Sequence, residues 1–260
     1  MSTASAKPKD PRPAIRGYMF LDGFVRLTLW YSSIAFAIAL FTALGGWPEE
    51  RIIGAELHAA WRWGQALSQL VLLYNVIYLL EILVLRLLLP RAKEGEFSLK
   101  AGQRLDRVLI WMALSTTLLR ARYEAPFPGF LVFHLANLPP LCWLYTWIMG
   151  PKSRSCLLLD PPIPDPGLTE IGRNVTIGNL TSVICHTQYR DRVSIRKTVI
   201  EDDVMIGAHA LLYGGCHIKR GATVYGGAVV PPNTVIGENE AWGGVPARKI
   251  KDLPPIDGLP

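Results

Sequence analysis

Seven aliphatic residues, Ile200, Ile206, Leu212, Ile218, Val224, Val230 and Ile236, stand six positions apart without a break. Four positions after each of the first six comes a small or β-branched residue: Val204, Ala210, Cys216, Ala222, Ala228 and Thr234. An amphipathic helix needs a period near 3.6 and a half-buried strand a period of 2, so neither accommodates this pattern. A period of six is that of a parallel β-helix, in which each hexad makes one short flat strand and one corner of a triangular prism. The aliphatic residue points into the prism, and the small one lets the chain turn tightly. A single coil cannot bury its apolar face, so such a domain is stable only when coils stack.

The 260 residues suffice for two modest domains, and the apolar content is unevenly divided between them. Residues 24–44 carry a single charge, Arg26, and residues 63–89 only Glu81 and Arg86. Each is about the ~20 residues needed to cross a bilayer, so two spans are expected, the second tilted. Residues 108–119 are too short to span and are expected to be interfacial or re-entrant, and residues 127–149 are broken by Pro139-Pro140. Together, residues 23–150 read as a helical transmembrane and interfacial domain behind a basic N-terminus, residues 1–22. The first span starts too late and runs too long for a signal-peptide core, and is taken as an anchor.

Basic residues cluster before the first span (Lys7, Lys9, Arg12, Arg16), after the second (Arg91, Lys93, Lys100, Arg104) and after the last apolar segment (Lys152, Arg154). The positive-inside rule places all three in the cytoplasm, which predicts an inner-membrane protein with its repeat domain on the cytosolic side. Arg120 and Arg122 fit only if the third segment lies in the interface. These clusters account for the net charge of +6, which points to anionic membrane lipids as partners and not to nucleic acid. Cys142, Cys156, Cys185 and Cys216 show no paired ligand spacing, as in a reduced cytosolic domain.

Residues 151–170 hold prolines at 161, 162, 164 and 166 and read as a linker. The repeat is expected over residues 171–250, with a tail at 251–260. Between Val183 and Ile200 it slips: 17 residues separate them where three hexads need 18, and the intervening segment is polar. That reads as a loop or distorted coil leaving the prism wall, and loops on rigid scaffolds are where chemistry concentrates.

The run from Ile200 to Ile250 resembles the C-terminal half of the hexapeptide-repeat acyltransferases with a left-handed β-helix, a group that includes maltose, galactoside, xenobiotic and serine acetyltransferases. Gly244-Val245-Pro246-Ala247-Arg248 matches their closing G-x-P-A-[RK] signature, preceded by Pro232-Asn233-Thr234. The resemblance covers residues 171–250, less than a third of the chain. With the apolar half, it implies an N-terminal α-helical transmembrane domain followed by a left-handed parallel β-helix. It further implies an acetyl-CoA or acyl-CoA co-substrate, a homotrimer, and active sites in clefts between subunits. His186 holds the position of the family's general base. A hydroxyl or amine must lose its proton as it attacks a thioester, and imidazole titrates near working pH. No motif fixes an acidic partner for it, and Asp191 is the nearby candidate. In relatives pantetheine lies against small residues and phosphates meet basic ones. The matching candidates are Gly207, Ala208, Gly226 and Gly227 for close backbone approach, and Lys219, Arg220, Arg248 and Lys249 for phosphate. Corner glycines are needed for turns in any case, so both readings stand.

Three other readings compete. The γ-type carbonic anhydrases share this β-helix, but where they carry a G-H-x4-H pattern the chain has Ala208 and Tyr213, and no metal is expected. His209 and His217 read as exposed corner residues, and His58 and His134 as interfacial or packing residues. Tyr74, Tyr78 and Glu81 share a helical face, which either borders an acceptor site or makes interhelical hydrogen bonds. The function expected is transfer of an acyl group to a hydroxyl or amine of a lipid-linked or amphiphilic acceptor, with a non-catalytic trimerisation scaffold as the alternative.

Overall fold

The computed structural model describes residues 12–49, 57–90, 93–98 and 165–255, together with isolated positions between 110 and 163. The repeat half is a parallel β-helix with three walls. Residues 18 apart pair in register: Ile200 with Ile218 and Ile218 with Ile236, Ile206 with Val224 and Val224 with Trp242, Leu212 with Val230. The seven aliphatic residues are at most 1% exposed, as a column shielded from water on every side requires. Val204, Ala210, Cys216, Ala222 and Ala228 are buried beside them.

The backbone carries the same period. Asp203, His209, Gly215, Gly221, Gly227, Asn233 and Asn239, each six residues from the next, all have positive φ. Left-handed backbone costs glycine nothing and is tolerated best by Asn, Asp and His, which is why these types fill the corners. Coils approach so closely there that a Cβ on Gly207 would stand 2.3 Å from the Gly226 nitrogen. We expect Gly207→Ala to force coils apart at a cost of about 1–3 kcal/mol. Thermal unfolding checks this, with Tm falling by several degrees; an unchanged Tm would refute so tight a stack.

Earlier coils depart from the interval. Ile171 pairs with Ile200, Ile177 with Ile206 and Val183 with Leu212, an offset of 29, eleven more than 18. The segment from Val183 to Ile200 is therefore one hexad with an eleven-residue insertion, not three hexads short by one. The insertion is an antiparallel hairpin of His186–Gln188 and Arg192–Ile195. Its tip is closed by the Tyr189 N–H donating to the Arg192 carbonyl at 2.8 Å, and its neck by the Arg196 N–H donating to the Cys185 carbonyl at 2.9 Å. A third strand, Gly95–Ser98, pairs along its outer edge.

The described residues of the proline-rich stretch are packed, not free. Lys152–Ser153 pairs with Glu170 and Ile171, and Ile163 and Leu168 are buried in the prism's apolar cluster. Proline removes donors and fixes φ, which bars regular structure but not apolar contact.

In the apolar half, helix α1 (Arg12–Ala43) packs on helix α2 (Leu57–Leu88). Within them Met19–Ala43 and His58–Leu88 are long and apolar enough to cross a membrane. Their polarity is inverted relative to a water-soluble pair. Phe20, Phe24, Leu27, Tyr31 and Phe36 are exposed, whereas Asp22, Ser33 and Asn75 are buried. Glu81 accepts hydrogen bonds from the Ser32 and Ser33 hydroxyls at 2.7 and 2.9 Å, and Asp22 one from Thr117 at 2.7 Å while pairing with Arg26. Glu81 is thus explained by interhelical hydrogen bonding, and Tyr74 and Tyr78 are buried between helices. Of the weaker segments, residues 113–118 are helical, with Leu118 buried against the helix pair. Residues 127–149, His134 included, fall outside the described residues apart from two positions.

Candidate active site

The prism has three edges, and they sort the candidate residues. The first is built by the turns at Asn174, Asp203, Gly221 and Asn239, the second by those at Leu180, His209 and Gly227. The third carries Gly215 and Asn233 and, in the first coil, the inserted hairpin.

His186 opens that hairpin. Its Nδ1 lies 2.6 Å from Asp165 Oδ2, with the imidazole 33% exposed and the carboxylate 1%. The same Oδ2 accepts the Cys185 N–H at 2.9 Å, and Oδ1 is buried with no partner. Asp165 is held by the 3₁₀ turn Pro166–Leu168: its carbonyl accepts from the Leu168 N–H at 3.0 Å and the Thr169 hydroxyl at 3.2 Å. A carboxylate against Nδ1 requires the proton there, leaving the lone pair on Nε2. Among the described residues no hydrogen bond reaches Nε2. The Asp165 hydrogen bond raises the His186 pKa above its usual value, burial works against it, and the carboxylate charge adds to the rise. Neighbouring Cys185 is pushed up to about 11 by burial and stays a neutral thiol. One ring nitrogen anchored to a buried carboxylate and the other open is the arrangement of a general base.

Asp191, the carboxylate expected beside His186, is instead at the exposed hairpin tip, 3.5 Å from the Arg192 guanidinium. The hairpin carries it outward, and the partner comes from 21 residues before the histidine. Its one sequence signal is an acid flanked by Pro164 and Pro166 in a chain too stiff to turn away.

The candidate coenzyme residues do not form one group. Gly207, Ala208, Gly226 and Gly227 lie along the second edge, the last three exposed, and Arg248 pairs with Gly243 on the same edge. Gly227 has φ +70° with open space beyond it, while Gly207 is held tight by its neighbouring coil. Lys249 is drawn into ion pairs with Glu240 at 2.8 Å and Asp252 at 2.7 Å. Hydrogen bonds from Lys249 and Trp242 hold the Glu240 carboxyl down to about 2. Lys219 and Arg220 sit on the first edge, where Arg220 Nε donates to Asp203 at 2.9 Å. His186, on the third edge, meets neither set within one chain. His217 Nε2 lies 2.6 Å from Glu201, and His209 occupies a left-handed corner of the second edge. Among the described residues no three metal-ligating side chains converge.

The model of the bacterial transferase hexapeptide (six repeats) matches residues 197–232. The chain is 29% identical over 123 residues, 43% of its own length and 72% of the relative's, to the Bacillus subtilis (strain 168) protein YvoF, which is named as an acetyltransferase. It is 38% identical over 85 residues to the mitochondrial gamma carbonic anhydrase 1 of Arabidopsis thaliana, a match over 33% of the chain and 26% of that protein's length. The hexapeptide-repeat acetyltransferase VCA0836 of Vibrio cholerae O1 biovar eltor, solved with acetyl coenzyme A, aligns with a TM-score of 0.41 at 18% identity, over 59% of this chain and 94% of that one.

Proposed function

We propose that the chain is a membrane-anchored acyltransferase that moves an acyl group, most simply acetyl, from acyl-CoA to a hydroxyl or amine of a membrane-associated or lipid-linked acceptor. The observation that carries this reading is the Asp165–His186 pair, a buried carboxylate fixing an imidazole whose second nitrogen is open. In the proposed step Nε2 takes the acceptor proton as the acceptor oxygen or nitrogen bonds to the thioester carbon. The carbon–sulfur bond breaks, and the imidazolium returns its proton to the leaving thiolate, giving an ester or amide and free CoA. Asp165 steadies the imidazolium between these two transfers. Amides at the prism corners are candidates to stabilise the oxyanion.

We infer a homotrimer, and the same geometry supports it. Because His186 and the small-residue ridge of Ala208, Gly226 and Gly227 occupy different edges of one prism, a neighbouring chain has to supply the facing edge of the cleft. Arg248, on the ridge's edge, is then the first candidate to meet a coenzyme phosphate, and Lys219, Arg220 and Lys249 are weaker candidates because the first edge and the ion pairs remove them. The inverted polarity of the helix pair supports an anchor in lipid, and the basic clusters beside the apolar segments support a β-helix on the cytosolic side.

The test is release of CoA thiol from acetyl-CoA by the purified chain, offered a total lipid extract or soluble sugars and amines. Transfer to soluble sugars with no preference for lipid would remove the lipid-linked acceptor. Turnover has its own pH signature. A base works only when unprotonated, and the Asp165 bond raises the His186 pKa. The acid limb of kcat/KM is therefore expected above the usual histidine value of about 6.5. A limb at or below that value would mean that Asp165 is not paired with the working histidine. The likeness to the plant carbonic anhydrase favours one rival, a zinc hydratase, and stoichiometric zinc in the purified protein would revive it.

A further inference from the structure

We propose that the cytosolic end of α2 and the strand that follows it are positioning elements for the Asp165–His186 pair, one holding each half. The inference rests on the acyltransfer reading above. Arg86, in the last turn of α2, is 7% exposed, and its Nη1 donates to the Leu89 carbonyl at 3.0 Å. Its Nη2 lies 3.7 Å from where a side-chain carbon on Gly167 would stand, in the turn directly after Asp165. The helix end is thus packed on the element that presents the carboxylate.

Seven residues beyond Leu88 the same chain reaches the imidazole's side. Gly95 is opposite Ile195, and Ile195 is opposite His186. The strand is fastened at three points. Glu94 accepts the Lys197 N–H at 2.7 Å, Glu96 pairs with Arg192 and Arg196 at 3.4 Å each, and Phe97 packs on the prism core. A two-stranded hairpin is marginal in water, and a third strand with an apolar contact is what makes it hold one shape. Among the described residues, the inserted hairpin has such a third strand only from the membrane half. Positioning matters because a misplacement of about 1 Å at a reacting group can cost ~100-fold in rate. The reach from Leu88 to Gly95 is at most about 25 Å, so the pair works close to the surface where α2 ends.

The experiment uses the full chain in phospholipid nanodiscs, with radiolabelled acetyl-CoA and a total lipid extract as the acceptor pool. Phe97→Ala, the double variant Glu94→Gln/Glu96→Gln, and Arg86→Gln are each expected to lower kcat about tenfold. The KM for acetyl-CoA should stay within about twofold, because no coenzyme contact is touched. Hydrogen exchange should quicken across residues 186–195 and stay slow across residues 200–236, and Phe97→Leu should recover most of the lost kcat. Unchanged kcat in Phe97→Ala and Arg86→Gln overturns the proposal, and so does a loss of kcat accompanied by fast exchange throughout the prism. If instead His186→Ala and Asp165→Asn keep full turnover, the acyltransfer reading itself has failed. If those two are inactive while the three strand and helix variants work normally, only the positioning inference has failed.

Discussion

His186→Ala is expected to lower kcat by a factor on the order of 10²–10⁴, the range that a positioned general base contributes, with acetyl-CoA affinity unchanged. The separation of the two effects follows from the edges of the prism. His186 leaves the scaffold on the third edge, while the small-residue ridge lies on the second, so deleting an imidazole leaves that ridge intact. Folding is expected to lose about 1–3 kcal/mol, because buried Asp165 loses its imidazole partner and keeps only the Cys185 N–H, while the inward column is untouched. Steady-state turnover, with calorimetry of acetyl-CoA binding, gives both readings on one preparation. Wild-type turnover in this variant would remove His186 as the base, whereas an intact cellular phenotype in a protein with no turnover would support the scaffold reading, in which the β-helix only gathers membrane helices.

The second large effect is expected from Asp165→Asn, a change of one atom in a side chain 1% exposed. With its oxygen kept at the Oδ2 position the amide still accepts from Cys185 and His186, but its NH₂ then occupies the buried site where Oδ1 has no partner. A buried donor without an acceptor costs about 1–3 kcal/mol, and the charge that steadied the imidazolium is gone. With the amide turned over, its N–H faces the Cys185 N–H and requires the other imidazole tautomer, whose Nε2 can no longer take a proton. Either way kcat is expected to fall by about 10² or more, and the acid limb of the rate profile to move down toward that of an ordinary histidine. Asp191→Asn, at the hairpin tip, should be silent in both measurements. The reverse pattern, with Asp191 essential and Asp165 dispensable, would assign the pair wrongly.

The prism was legible because its determinants are local. Each hexad carries its own inward aliphatic residue and its own corner residue, and the interval of 18 between stacked partners follows from three such units. The hairpin was visible only as a break, since an offset of 29 imitates a nearly intact repeat when its length is counted from the wrong wall. Its partners were not legible at all. Glu96 meets Arg196 across 100 residues, and an antiparallel register between segments so distant leaves no periodic mark in either. Asp165 escaped for a related reason. Prolines around it suggest a spacer, yet the same stiffness aims a carboxylate with little entropy to lose. For the coenzyme candidates, the local surroundings were not legible: Gly207 meets the neighbouring coil's backbone and Lys249 two carboxylates, neither of which is visible from spacing.

The closed neck between Cys185 and Arg196 separates two kinds of length in this chain. Everything stacked below it obeys the arithmetic of sixes, so adding or deleting one residue there would rotate every later side chain off its wall. Above the neck no such rule applies, because the polypeptide leaves and re-enters at one point. The excursion's tip, from Tyr189 to Asp191, is therefore exempt from that arithmetic: it can grow or shrink, and the column beneath keeps its register.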